Sequence, residues 1–178
     1  MRALPIAVTV LAAALALTSC DDSGGSKTDE AGKTDKSAST DCRVDHVGIE
    51  VGPANAAPAA GDTGNVPVTL TNRDSTCTLK GFPGLEVHAG GDSTDIAPEK
   101  SANPVKLTLA KNDTATFTIT YVRGEKGDAK TFDAQTLKIS LPGATATQDF
   151  KWSYGPVAGK NEAADLNASV SPFQHAGD

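Results

Sequence analysis

The chain has 178 residues and a net charge of −6, and aromatic residues make up only 4% of it. This length accommodates one domain with flanking tails, whereas two domains of ordinary size would need more chain. The acidic balance repels phosphate backbones, which argues against nucleic acid as a partner. We therefore expect one domain with a modest core of Val, Ile and Leu.

Residues 1–19 have the features of a bacterial lipoprotein signal peptide. Arg2 gives a positive start, and the largely apolar run from Leu4 to Leu17 follows it. A helix needs about 18 apolar residues to span a bilayer, so this run is too short for that. It ends in Leu17-Thr18-Ser19-Cys20, which resembles a lipobox, whereas an ordinary secretory signal would end in an Ala-x-Ala site. We expect cleavage before Cys20, a diacylglyceryl group on its thiol, and anchorage on the extracytoplasmic face of the cell membrane.

Residues 20–41 are predicted to be a flexible tether. After Cys20 the stretch DDSGGSKTDEAGKTDKSASTD contains no Val, Ile, Leu or aromatic residue. Such a segment buries too little apolar surface to offset its ordering entropy. Random-coil scaling gives it a mean span of about 25 Å. Its expected role is a spacer between membrane and domain, and its Ser and Thr content leaves an O-glycosylated stalk open.

From residue 42 to residue 174, short runs of alternating apolar and polar residues predict β-strands. In chain order the rows are Val47-Ile49-Val51, Val66-Val68-Leu70, Cys77-Leu79, Leu85-Val87, an edge strand around Asp95 to Ala97, Val105-Leu107-Leu109, Ala115-Phe117-Ile119-Tyr121, Leu137-Ile139-Leu141 and Phe150-Trp152-Tyr154. Phe117 and Trp152 are expected at the centre of the core. Residues 175–178 are interpreted as a C-terminal tail.

Two segments decide the details of this fold. Lys111-Asn112-Asp113 predicts a tight hairpin between the rows before and after it, because Asn and Asp tolerate a positive φ. Asn161 could cap a helix, or Leu166–Phe173 could form a last strand, and we favour the strand, preceded at most by one helical turn. With no sustained helical periodicity after the signal peptide, seven or eight short strands predict an antiparallel, immunoglobulin-like β-sandwich.

Cys42 and Cys77 are the cysteines that remain once Cys20 carries lipid, and an even pair in an exported domain predicts a disulfide. It would close a loop of about 35 residues and stabilise the domain by about 4 kcal/mol in the chain-entropy description. A redox-active pair would have closely spaced thiols, as in Cys-x-x-Cys. The structural interpretation is therefore preferred.

The chain has no sequence motif for catalysis, a cofactor or a metal ion. Its histidines are His46, His88 and His175, and none is spaced for metal ligation with another. His88 with Asp92 and Asp95 could hold a cation, but we interpret this group as a solvated turn. Nucleophile-elbow, Ser-x-x-Lys and phosphate-loop patterns are missing from the sequence. We therefore expect no enzymatic activity, no cofactor and no metal.

The stretch Thr71-Asn72-Arg73-Asp74-Ser75-Thr76-Cys77-Thr78-Leu79-Lys80-Gly81-Phe82-Pro83-Gly84 resembles the hallmark of the DUF4232 family. That family comprises exported, often lipid-anchored proteins of actinobacteria with a pattern close to T-N-x-x-x-x-C-x-L-x-G-x-P-G. The resemblance extends over about Cys42 to Phe173 and implies a fold and a location, without an activity. It marks Asn72, Gly81, Pro83 and Gly84 as a structural motif.

These observations favour a membrane-anchored, non-enzymatic β-sandwich that binds a protein or glycan partner in the cell envelope. One alternative is an envelope hydrolase whose site is assembled from loop carboxylates or serines. Another is a lipoprotein that binds a solute or a metal ion. A cavity lined by convergent Asp, Ser or His side chains would favour the hydrolase.

Overall fold

The computed structural model describes residues 40–177, which form β-strands and one short 3₁₀ segment, Val44–His46. The predicted signal peptide, Cys20 and most of the predicted tether lie outside these residues. The strands are β1 (Val47–Val51), β2 (Thr63–Asn72), β3 (Cys77–Lys80), β4 (Gly84–Ala89), β5 (Asp92–Asp95), β6 (Lys106–Leu109), β7 (Thr114–Val122), β8 (Thr131–Phe132), β9 (Thr136–Ser140), β10 (Thr147–Lys151), β11 (Val157–Ala158), β12 (Ala168–Val170) and β13 (Gln174–His175).

The first sheet has the strand order β1-β2-β7-β12, and β13 also pairs with β7. β2 and β7 are registered without a break from Thr63 opposite Val122 to Thr71 opposite Thr114. Buried residues alternate with half-buried ones along β7, as the two-residue period of a strand requires. Beyond β12, Pro98 forms a parallel bridge with Val170, so the segment 97–99 continues the sheet.

The second sheet has the order β10-β9-β4-β5, and all its neighbours are antiparallel. Its buried side includes Leu85 and Val87 of β4 opposite Ile139 and Leu137 of β9. Two smaller pairs, β3 with β6 and β8 with β11, complete the architecture. Among the described residues no helix is long and apolar enough to cross a membrane.

The buried residues of these sheets form one hydrophobic cluster. Phe117 and Trp152, expected at its centre, are exposed by only 2% and 4%. Phe117 meets Phe173 edge to face at 5.7 Å between ring centroids, and Trp152 meets Tyr121 at 5.3 Å. Such aromatic pairs stabilise a core beyond their buried area. The predicted all-β, antiparallel sandwich class is confirmed.

The predicted hairpin at Lys111-Asn112-Asp113 is wrong. β6 pairs with β3, whereas β7 pairs with β2, so the chain crosses from one sheet to another at this turn. Asn112 does have the positive φ, 73°, that its residue type suggested. The turn chemistry was interpreted correctly, but a turn does not determine which strands pair when both flanking rows are buried.

Several predicted strand limits also need correction. Val105 precedes β6 and is 61% exposed. The edge strand is Asp92–Asp95 rather than Asp95 to Ala97, and it pairs with β4 directly after a Gly90-Gly91 turn. β10 ends at Lys151, so Trp152 and Tyr154 leave the strand and pack in a loop.

The C-terminal segment confirms the strand interpretation over the helical one. β12 covers Ala168–Val170 and pairs with β7, while residues 161–165 form bends and a turn. β13 places His175 in the first sheet opposite Ala115. The sequence missed β8, β11 and β13, because two-residue strands have no detectable periodicity.

Candidate binding surfaces

Asn72, a residue of the motif that carries the family resemblance, is structural in this fold, where it is the only buried polar or charged residue among those described. Its amide nitrogen donates to the carbonyl oxygens of Ser75 at 2.9 Å and Leu109 at 3.0 Å. Its side-chain oxygen accepts from the backbone N–H of Asp74 at 3.1 Å. Asn72 thus joins the end of β2 to the end of β6, and its buried amide donors are used within the fold.

The glycine–proline corner is also structural. Gly81 has φ 106°, a conformation that glycine adopts without strain, and Pro83 is buried. Gly84 stands opposite Ser140 on β9, and the Ser140 hydroxyl occupies the space that a β-carbon on Gly84 would need. The corner therefore turns the chain from β3 into β4 and lets the start of β4 approach β9 closely.

Cys42 and Cys77 form the predicted disulfide, with 4.9 Å between their Cα atoms and both residues buried. The bond lies where the predicted tether meets the domain. The chain is also held there by hydrogen bonds from Cys42 N to Thr78 O at 2.9 Å and from Thr78 N to Thr40 O at 2.8 Å. Residues 40–42 thus run beside β3 as an added strand, which fixes the attachment point of the tether.

His88, Asp92 and Asp95, which we interpreted as a solvated turn rather than a cation site, are not brought together. His88 Nε2 lies 2.9 Å from Glu86 Oε2 instead, on the outer face of the second sheet. Asp92 is registered opposite Ala89, on the alternate face from His88. Across residues 40–177 no group of three His, Cys, Asp or Glu is placed to hold a metal ion.

Glu86 also accepts a hydrogen bond from Ser93 Oγ at 2.6 Å. That hydrogen bond, followed by the one from His88, lowers the pKa of Glu86 below its ordinary value. In a Ser–His–Asp type of triad the serine hydroxyl donates to the imidazole, and the carboxylate orients the imidazole from the other side. Here the Glu86 carboxylate lies between the serine and the histidine, and it accepts the hydrogen bond that the serine hydroxyl donates. The cluster stabilises a carboxylate and lacks the order of a catalytic triad.

His46 belongs to a second exposed cluster, which ties the 3₁₀ segment to the turn after β2. Its Nδ1 lies 3.0 Å from Asp74 Oδ2, and its Nε2 lies 3.6 Å from Asp45 Oδ2. Arg43 pairs with Asp45 at 3.0 Å, and its hydrogen bond lowers the pKa of that carboxyl. Because these side chains are exposed, the cluster contributes little to stability.

Two surface cavities are large enough for a small ligand. The first, of about 570 Å³, lies between residues 41–45 and the β9–β10 connection at 142–146. The second, of about 520 Å³, lies at the end of the first sheet and is lined by Thr63, Thr120 and Ser169 together with Lys100 and Lys160. The first cavity includes Asp41 and Asp45, and the second includes Glu99 and Ser169, but no histidine lines either of them.

The outer side of β2 and β7, the two central strands of the first sheet, presents an uncharged surface, which we call the threonine face. It consists of Asn65, Pro67, Thr69 and Thr71 on β2, with Thr114, Thr116, Thr118 and Thr120 on β7. Thr120 Oγ1 bonds Asn65 Oδ1 at 2.9 Å across the two strands, which shows that both side chains lie on this side. The second cavity includes Thr120, so it opens on the same face.

The sequence did contain the signal for this surface. Every second residue of TATFTIT is a threonine, and we interpreted those positions only as the polar half of a strand. The sequence does not give the register of β7 with its neighbouring strand. Only the pairing of β2 with β7 shows that threonines of separate strands stand side by side.

Comparison with known protein families identifies the family of this chain. A family description titled "Domain of unknown function (DUF4232)" matches residues 42–174, which is most of the chain. The chain belongs to the DUF4232 family. The resemblance drawn from the Thr71–Gly84 stretch is thereby confirmed, and Asn72, Gly81 and Gly84 take the structural positions described above. No curated protein and no solved structure matches the chain.

Proposed function

We propose that this DUF4232 protein is anchored by a lipid on Cys20 to the extracytoplasmic face of the cell membrane, and that its β-sandwich is a non-enzymatic module that binds a partner in the cell envelope. The observation that carries the proposal is the buried Cys42–Cys77 disulfide, since such bonds persist in exported proteins and are rare in the cytosol. The lipobox-like Leu17-Thr18-Ser19-Cys20 supports the anchor.

The way the chain enters the domain supports a tethered role. Residues 40–42 pair with β3 and are covalently joined to it through Cys42. A pull along the tether is therefore transmitted to the sheet framework at one defined point. A binding module that must hold a partner at a fixed reach from a membrane needs such an attachment.

The arrangement of titratable side chains supports binding rather than hydrolysis. Ser93 and His88 both contact the carboxylate of Glu86, so the imidazole is not placed to activate the serine, and the lowered pKa of Glu86 makes that carboxylate a weak base. The first cavity is lined by Asp41, Arg43 and Asp45 with apolar and backbone groups, and the second by Thr, Ser and Lys side chains with Glu99. Such linings offer a ligand hydrogen bonds and charges, and neither of them includes a histidine.

The anchor is tested by metabolic labelling with a tritiated fatty acid and by detergent phase partition of whole cells. Cys20→Ser removes the thiol that accepts the lipid, so label and membrane retention should both be lost. Ser19→Ala is the matched control, because a small residue before the cysteine is kept and labelling should persist. A labelled, membrane-bound Cys20→Ser protein would contradict the proposed anchor.

The binding role is tested by sedimenting washed cell-envelope fragments of the producing cells with full-length protein in detergent. Saturable retention in the pellet is expected. The control is the same protein after reduction and heat denaturation, which retains the composition but loses the sandwich. Retention no greater than that of the control would contradict a folded binding module.

A further inference from the structure

The threonine face is large, regular and free of charge. Thr69 lies directly opposite Thr116, and Thr71 lies opposite Thr114. The unbroken β2–β7 register spans about 30 Å at the usual rise per residue. Its threonines have restricted χ1 rotation, so their hydroxyls are held in place at a low entropic cost. The surface is thus a rigid grid of groups that each donate and accept hydrogen bonds.

Charges border this face at one edge and at its ends. Glu50 of the edge strand β1 is exposed and registered opposite Thr69. At one end the Arg73 guanidinium lies over Gly48, where a β-carbon would displace it. At the other end Glu99, Lys100 and Lys160 border the cavity of about 520 Å³. The cavity includes Thr120 and, from β12, Ser169, which is registered opposite Thr120. Grid and cavity therefore form one continuous surface with an uncharged centre.

The second sheet shows that this composition is not a general property of the molecule. Its outer face carries Glu86, Lys138 and Asp149 in one cross-strand row, with Lys138 and Asp149 3.5 Å apart. Threonine is favoured in strands, which accounts for single positions on the first sheet. It does not account for two neighbouring strands on which none of eight outward positions is Lys, Arg, Asp or Glu, since charged residues normally occupy much of a protein surface.

We propose that the threonine face and its adjoining cavity bind an uncharged glycan chain, an inference that rests on the binding role proposed above. A glycan presents hydroxyls at regular intervals that can both donate and accept, which matches the threonine grid directly or through bridging water. An anionic polymer would be repelled by a chain of net charge −6. Protein–protein interfaces usually depend on buried Trp, Tyr or Arg side chains, and the centre of the face has none of these pointing outward.

The test uses full-length protein in detergent with two uncharged probes, an N-acetylglucosamine hexamer and a glucose hexamer, and with polygalacturonate as the anionic comparison. Calorimetry or NMR titration should detect binding of at least one uncharged hexamer. Thr116→Lys places a charge at the centre of the grid and should weaken that binding at least about tenfold. Thr147→Lys, at an exposed position on β10 of the other sheet, is the matched control and should leave binding unchanged.

Both variants should unfold at the wild-type temperature within a few degrees, which excludes misfolding as the cause. Absence of binding to both uncharged hexamers, preference for polygalacturonate, or equal losses in Thr116→Lys and Thr147→Lys would overturn the inference. Envelope sedimentation separates this failure from that of the proposed function. If Thr116→Lys sediments as well as the wild type, the module still binds its partner and the threonine face is not the site.

Discussion

At the scale of single residues, hydrogen-bond order decides what a polar cluster can do. Ser93, Glu86 and His88 are residue types that occur in hydrolases, and they lie within contact of one another. The serine and the imidazole nevertheless share the carboxylate instead of meeting each other. The consequence is a carboxyl whose pKa is lowered, chiefly by the Ser93 hydrogen bond.

Ser93→Ala should therefore raise the pKa of Glu86 toward its ordinary value, as followed by NMR titration of the side-chain carboxyl. A lowered pKa in the folded state stabilises the protein above the unfolded pKa, and this contribution is lost as pH falls through the folded value. Ser93→Ala should thus flatten the acid limb of the stability curve. Ser101→Ala, which removes a similar hydrogen bond from Glu99, is the control and should not move the Glu86 pKa. An unchanged Glu86 titration in Ser93→Ala would refute the assignment.

At the scale of elements, the crossing between β6 and β7 determines how the two sheets are joined. Leu109 and Ala115 are both fully buried, one at the end of β6 and one at the start of β7. The Asn112 N–H donates to the Asn72 carbonyl at 2.7 Å, and the Asn72 amide bonds Leu109 O. The corner is therefore held by the residue that the family pattern places at the end of β2.

Asn72→Ala should lower the free energy of unfolding by about 2–4 kcal/mol, because the buried carbonyl of Leu109 and the partly buried carbonyl of Ser75 lose their donor. The value is measured by urea denaturation at neutral pH. Asn65→Ala removes a half-buried amide whose oxygen accepts a hydrogen bond from Thr120, and it should cost less than about 1 kcal/mol. Equal losses in the two variants would mean that Asn72 does not hold the corner.

At the scale of the whole molecule, the disulfide closes the N-terminal part of the domain. It joins Cys42 to Cys77 across a sequence separation of 35 residues. The hydrogen bonds of Thr40 and Cys42 to Thr78 add to the same junction. A domain with few aromatic residues relies on such a crosslink, because the net stability of small domains is only about 5–15 kcal/mol.

The double variant Cys42→Ala/Cys77→Ala should lose about 3–4 kcal/mol of stability, since the unfolded chain regains the entropy of an open loop. Urea unfolding of the full-length protein measures this loss, and wild type reduced before unfolding should show a similar decrease. Cys20→Ser retains the disulfide and should unfold like the delipidated wild type. A double variant that unfolds at the wild-type midpoint would show that packing alone holds the junction.

The sequence alone was sufficient for the features that depend on local chemistry. Strict alternation identified the long rows, such as Ala115 to Tyr121, because period-two burial needs no knowledge of partners. The two cysteines left after Cys20 have only each other to pair with, so Cys42–Cys77 followed from counting. The Thr71–Gly84 stretch was sufficient for the family.

Only the tertiary structure decided which strands pair, and the surfaces follow from pairing. Lys111-Asn112-Asp113 had the chemistry of a hairpin, yet β6 and β7 entered different sheets because each buries its row against a different layer. The same pairing of β7 with β2 sets Thr116 beside Thr69 and makes the threonine face. Register is a non-local property of the chain, which is why local patterns determined the strands and only the assembled sheet determined the proposed binding surface.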